Sequence, residues 1–160
     1  MDFTTHYDSP LGGITLACDG QALTGLWFDG QQHYADTLSD DAVERRDALP
    51  FADALHWLDR YFDGHEPGFM PPVSLRGTPF QRRIWQQLLA IPYGHTVTYG
   101  ELAHRMGIRS AQAVGGAVAC NPVSLIVPCH RVVGQHGQLT GYAGGLDRKD
   151  ALLRLERFGK

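Results

Sequence analysis

The spacing of hydrophobic and polar positions changes character twice along this chain. Over residues 3–30 the two kinds alternate loosely, in TTHYDS, GITLACDG and ALTGLWFDG, with Pro-Leu-Gly-Gly and Asp-Gly signals between the runs. A period near two, punctuated by turn residues, predicts a β-meander. The period then lengthens. In PFADALHWLDRYFDG, Leu55, Leu58, Tyr61 and Phe62 recur three and four residues apart and Gly64 follows, which predicts an amphipathic helix and its stop. HEPGFMPPVSLRG is rich in proline and glycine and reads as a linker.

Beyond the linker the helical period returns. Thr78 and Pro79 suit an N-cap and a first helical position, for a helix running to about Ala90 with Phe80, Ile84, Trp85, Leu88 and Leu89 as its stripe. IPYG breaks it. Thr98 with Glu101 three residues on has the pattern of a capping box. Gly107-Ile108-Arg109 makes a short turn, and Ser110 caps a second helix, AQAVGGAVAC. Two short helices about a glycine-containing turn resemble a helix-turn-helix. The second helix holds only small residues apart from Gln112 and its valines. Gly115 and Gly116 each cost about 1 kcal/mol against alanine in a helix interior. Either close helix packing or the close approach of a ligand backbone must offset that. A last helix is expected over Leu146 to Phe158.

Charge divides the chain where the linker does. Residues 1–72 carry 3 arginines against 13 acids, a net −10, and residues 73–160 carry 9 arginines and 2 lysines against 4 acids, a net +7. The expected boundary therefore separates a domain over 1–72 from one over 73–160. A basic half points to a polyanionic partner, although two halves attracting each other would give the same asymmetry. Arginine among the cations favours phosphate, because guanidinium bonds it bidentately. No apolar run reaches the roughly 18 residues of a membrane span, and MDFTTHYDSP has no signal-peptide character, so a cytoplasmic location without membrane contact is expected. Cys18, Cys120 and Cys129 show no metal-ligand spacing and are expected to be free thiols.

The chemistry concentrates in SLIVPCHRVVG, where Cys129, His130 and Arg131 interrupt an apolar run. A thiolate is the reactive form of cysteine, and only a few per cent is ionised near pH 7 at the ordinary pKa of about 8.5. A neighbouring base or cation raises that share. Neighbouring side chains on a strand face opposite ways, so a turn or a bridging water is needed for Cys129 to use His130. Asn121, the chain's single asparagine, could fix that turn through backbone bonds. Glu156 on the last helix is of a type that orients a histidine.

NPVSLIVPCHRV, followed by GYAGG and K-x-x-L-L-x-x-E and preceded by TPFQRRIW, IPYGHTVTYGELA and AVGGA, resembles the O6-alkylguanine-DNA alkyltransferases over residues 76 to 158. The resemblance implies an α+β molecule. An N-terminal antiparallel β-sheet domain of ribonuclease-H-like style would precede a mostly helical, winged helix-turn-helix-type C-terminal domain. It implies direct repair of double-stranded DNA by a monomer bound in the minor groove, with O6-alkylguanine flipped out and O4-alkylthymine a second candidate. The alkyl group would pass irreversibly to Cys129, once per molecule, with no cofactor and no metal. His130 would deprotonate Cys129 through a water, Glu156 would orient His130, Tyr99 would donate to the leaving guanine, and Asn121 would hold the turn. Pro128, Tyr142, Ala143 and Gly144 would line the pocket. Arg109, Ser110, Gln112, Ala113, Gly115 and Gly116 would meet DNA, with a narrow groove explaining the small residues. Arg131 would be structural or a phosphate contact. One position departs from the pattern: the family's intercalating arginine falls at Gln112, which is shorter and uncharged. Two other classes share some of these residues. A lesion-binding module would lack the transfer, and a thiol hydrolase with a Cys-His-Glu relay would turn over.

Overall fold

The computed structural model describes residues 1–160. Strands β1 (Phe3–Ser9), β2 (Gly12–Cys18) and β3 (Leu23–Phe28) form the expected antiparallel meander. The pairing of Ser9 with Gly12 leaves Pro10 and Leu11 as the turn, and Gly12 there has φ +116°, which favours glycine. A two-residue strand β4 (Val43–Glu44) pairs parallel to β1, so the sheet has the order β3-β2-β1-β4 and is mixed rather than purely antiparallel. Residues 43–44 are exposed and do not alternate, which is why periodicity did not show them. Helix α1 (Phe51–Phe62) buries Phe51, Ala54, Trp57, Leu58, Tyr61 and Phe62.

The second half opens with α2 (Pro79–Leu88). Thr78 Oγ1 accepts from Gln81 N at 3.1 Å, and Gln81 Oε1 accepts from Thr78 N at 3.0 Å, a reciprocal cap. Thr98 caps α3 (Tyr99–Arg105) at Glu101 N, and Ser110 caps α4 (Ala111–Ala119) at Ala113 N, each at 3.0 Å. A short parallel pair joins β5 (Val97–Thr98) to β6 (Val132–Val133), and α5 (Leu146–Phe158) closes the chain.

Backbone bonds tie the site to the sheet. The outer edge of β3 pairs twice with later chain: Leu23 with Val73 in the linker, and Leu26 with Val123 just before the Cys129 turn. Leu26 N donates to Pro122 O at 2.8 Å, and Ser124 N donates to Leu26 O at 3.0 Å. This use of the edge removes an exposed template for aggregation and fixes the second half against the first. One apolar core runs through both, from Ile14 and Phe28 through Tyr61 and Trp85 to Val127 and Leu152.

Candidate active site

Residues 121–133 are buried without interruption, unusual for a segment that is mostly turn. Their polar groups must therefore be satisfied internally. Asn121 does much of this: Nδ2 donates to Val127 O at 2.7 Å, and Oδ1 accepts from Val123 N at 3.0 Å. These bonds clamp a loop in which Leu125 has φ +71°, a left-handed conformation costly for a branched side chain. The clamp delivers Cys129 to the start of a 3-10 turn over Cys129–Arg131. The turn replaces the strand-like alternation that would separate Cys129 from its neighbours.

Cys129 lies at the base of a cavity of about 570 Å³. Tyr99, Gln112, Gly115, Gly116, Tyr142 and Ala143 stand in its wall, with Gln32, Thr140 and Gly141. The residue is 4 % exposed. Burial pushes the thiol up, while the Asn121 amide and the Lys149 ammonium pull it back less strongly. The resting thiol is therefore neutral, and its reaction needs a base.

His130, next in the turn, is the candidate for that base. His130 is fully buried, and its Nε2 lies 2.5 Å from Glu156 Oε2. Burial raises the Glu156 carboxyl, but the bonds from His130 and Arg131 together outweigh it and hold the group at about 2. Burial also lowers His130, against the opposing pull of Glu156, so the imidazole is neutral at neutral pH. A neutral ring beside a carboxylate puts its proton on Nε2, which donates, and leaves a lone pair on Nδ1. Nδ1 is buried and has no hydrogen-bond partner. An unpaired acceptor of this kind is poised to take a proton.

Glu156 is held from three other sides. Arg131 Nε donates to Oε1 at 2.8 Å and Nη2 to Oε2 at 3.2 Å, Gly94 N donates to Oε1 at 3.0 Å, and the Tyr61 phenol donates to Oε2 at 2.6 Å. Arg131 also donates to Ile91 O at 2.8 Å. At 7 % exposure its guanidinium is committed to these internal bonds. Lys149 is completely buried; its Nζ donates to Thr140 O at 2.9 Å and Gly141 O at 3.3 Å, and burial lowers it to about 8. It pins the pocket-wall loop to α5. Tyr99 Oη donates to the same two carbonyls, Thr140 O at 3.2 Å and Gly141 O at 3.4 Å.

Two residues expected in the pocket stand elsewhere. Pro128 begins the turn and faces a separate groove with Trp57 and Tyr93 on the far side of the loop. Gly144 is buried beside the pocket, where a Cβ would meet the Tyr142 ring at 2.7 Å; it lets Tyr142 pack and does not itself line the wall. Arg109 and Ala113 are exposed on or before α4 but outside the cavity lining, and Ser110 caps the helix. Sequence reasoning missed Tyr61, Gly94 and Lys149. Only Lys149 left a signal: it precedes Glu156 by seven residues, two helical turns on one face of α5.

Comparison with known proteins places the chain in a family. Residues 3–75 match the family described as 6-O-methylguanine DNA methyltransferase, ribonuclease-like domain, and residues 79–158 match its DNA binding domain. The chain is 46 % identical over 156 residues to a methylated-DNA–protein-cysteine methyltransferase of Mycobacterium tuberculosis, covering 95 % of this chain and 92 % of that one. It is 40 % identical over 159 residues to the protein of that name from Haemophilus influenzae, with coverage of 98 % and 87 %. The crystal structure of Mycobacterium tuberculosis OGT in complex with DNA superposes with a TM-score of 0.87 at 44 % identity, over 98 % of this chain and 92 % of that one. No helix of this chain is long and apolar enough to cross a membrane. With both of its halves matched and its relatives aligned over most of their length, the chain belongs to the 6-O-methylguanine DNA methyltransferase family.

Proposed function

We propose that this protein repairs double-stranded DNA by moving the alkyl group of O6-alkylguanine onto its own Cys129, acting as a monomer from the minor groove. The observation that carries this is a buried thiol opening into a base-sized cavity, followed in the same turn by a neutral His130 that is hydrogen-bonded to the Glu156 carboxylate and has its Nδ1 unpaired. A volume of about 570 Å³ lies within the roughly 300–1,000 Å³ of small-ligand pockets. Tyr99 and Tyr142 supply aromatic walls for a purine, and the buried Tyr142 hydroxyl has no partner within the protein. A base can reach this depth only when flipped out of the duplex.

Helix α4 supports DNA as the partner. A Cβ on Gly116 would meet nothing within 4 Å, and one on Gly115 would meet only Tyr99, at 3.9 Å. Close helix packing therefore does not explain these glycines. A small-residue face turned outward suits the approach of a DNA backbone in a narrow groove. The exposed guanidiniums of Arg105 and Arg109 flank the same helix pair.

The transfer needs one displacement. The Cys129 proton passes through a water to His130 Nδ1, and Glu156 stabilises the imidazolium. Sγ attacks the alkyl carbon as the C–O6 bond breaks, forming a thioether. Tyr99 Oη supplies a hydrogen bond or proton to the departing guanine, which would otherwise leave as an anion. The thioether has no route back, so each molecule acts once. No cofactor enters.

Single-turnover assays with Cys129→Ser test the proposal. The variant should bind an O6-methylguanine duplex as the parent does and transfer nothing. Repeated turnover by the parent protein would refute the stoichiometric reading and favour a hydrolase.

A further inference from the structure

The Tyr61 phenol has no part in the relay just described, although it bonds directly to it. It lies on α1, in the first half of the chain, 95 residues before its acceptor, and is completely buried. Its hydroxyl donates at 2.6 Å to Glu156 Oε2, the same oxygen that accepts from His130 Nε2 at 2.5 Å, and sits 3.4 Å from that nitrogen. The ring is fixed on both sides. Trp57 stacks on it at 5.1 Å, and Tyr93 and His130 meet it edge-on at 6.2 and 6.4 Å. A buried phenol held this rigidly is a preorganised donor.

We propose that Tyr61 is a positioning residue for alkyl transfer: by occupying Glu156 Oε2 it limits how strongly that carboxylate holds a proton on His130, and so keeps Nδ1 available as the base. This rests on the Cys129–His130–Glu156 reading above. Two donors on one carboxylate oxygen compete for its charge, so each weakens the other's bond. Arg131 Nε and Gly94 N fix the carboxylate's orientation through Oε1, and Arg131 Nη2 adds only a longer third bond to Oε2 at 3.2 Å, which leaves Tyr61 to tune rather than to hold. The remaining polar groups that face the pair are Arg131 from the turn, Lys149 from α5, Tyr93 before β5, and Tyr142 from the pocket loop. Arg131 and Lys149 disfavour the imidazolium, in the same direction as Tyr61, and only Glu156 favours it. The phenol itself stays protonated, because burial and then Glu156 push it well above the ordinary tyrosine range.

Tyr61→Phe keeps the ring and removes the donor. Single-turnover transfer to the protein should be followed from about pH 5 to pH 9, where a histidine base gives an acid limb. The expected result is an acid limb moved upward by about one pH unit, so that the rate on its acid side falls roughly tenfold while the plateau changes little. Duplex affinity should match the parent's. A limb that stays in place overturns the proposal; if the rate falls only in step with Tm or with affinity, Tyr61 is a core residue alone. Glu156→Gln separates this failure from failure of the relay. If that folded variant keeps the parent rate and limb, the relay reading itself is wrong; if it loses them while Tyr61→Phe matches the parent, only the tuning role falls.

Discussion

Gln112 stands in the cavity wall at the start of α4, exposed. An amide there can fill the space left by an extruded base and bond its orphaned partner, but it brings no charge and no cation–π contact. Gln112→Arg should therefore tighten duplex binding and speed transfer; parent-like values for both in filter binding and single-turnover assays would show that Gln112 is sufficient. At this scale the sequence was informative wherever a residue acts on its own neighbourhood. Cys129, Asn121 and the Ser110 cap are all recognisable from local pattern, and the structure gives Asn121 the backbone bonds expected of it. Tyr61 and Gly94 were not recognisable, because their chemistry depends on Glu156, 95 and 62 residues away. Pro128 was expected in the pocket from the resemblance alone; it precedes the 3-10 turn and lines a separate groove with Trp57 and Tyr93.

At the level of elements, α4 and the turn at 129–131 separate what periodicity can and cannot reveal. The starts of α2 and α4 followed from their caps and the buried face of α1 from its stripe, since each is set within one or two turns of chain, while α2 ends at Leu88, short of the expected Ala90. The glycines of α4 were ambiguous in sequence; Gly116 has no internal neighbour, so close helix packing does not account for it. Gly116→Ala should accordingly raise Tm, by the equivalent of about 0.5–1 kcal/mol of helix propensity, while weakening duplex affinity. A variant that is stabilised and binds DNA as well as the parent would remove α4's glycine face from the interface. The strands β4, β5 and β6 escaped notice because two residues are too few to show a period.

Over the whole molecule, the chain folds back so that its first half supports its second. Asp2 and Arg76 illustrate the linkage, with Arg76 Nη1 and Nη2 bonding the buried Asp2 carboxylate at 2.6 and 2.8 Å. The Arg76 bond holds that carboxyl, ordinarily 3.8, at about 2 despite the cost of burial. Glu156 is likewise lowered from 4.5 to about 2. Groups lowered by folding contribute stability above their unfolded values and lose it as pH falls through the folded ones. Buried His130 adds to the loss, because the unfolded chain takes its proton more readily. Stability should therefore decline from about pH 6 and steepen between about pH 4.5 and pH 2. Asp2→Asn should flatten the lower part of that decline in urea titrations, and an unchanged slope would remove Asp2 from the account. The charge asymmetry between halves was legible from composition, but the shared core and the two bridges on β3 were not, since they join residues 50 and 97 apart.

Mass spectrometry of the protein after incubation with a duplex carrying one O6-methylguanine tests the central claim most directly. The account predicts a single methylene gain on the peptide containing Cys129, one per protein molecule, with the base restored to guanine. A duplex that binds while Cys129 gains no mass would contradict it and make this protein a reader of the lesion.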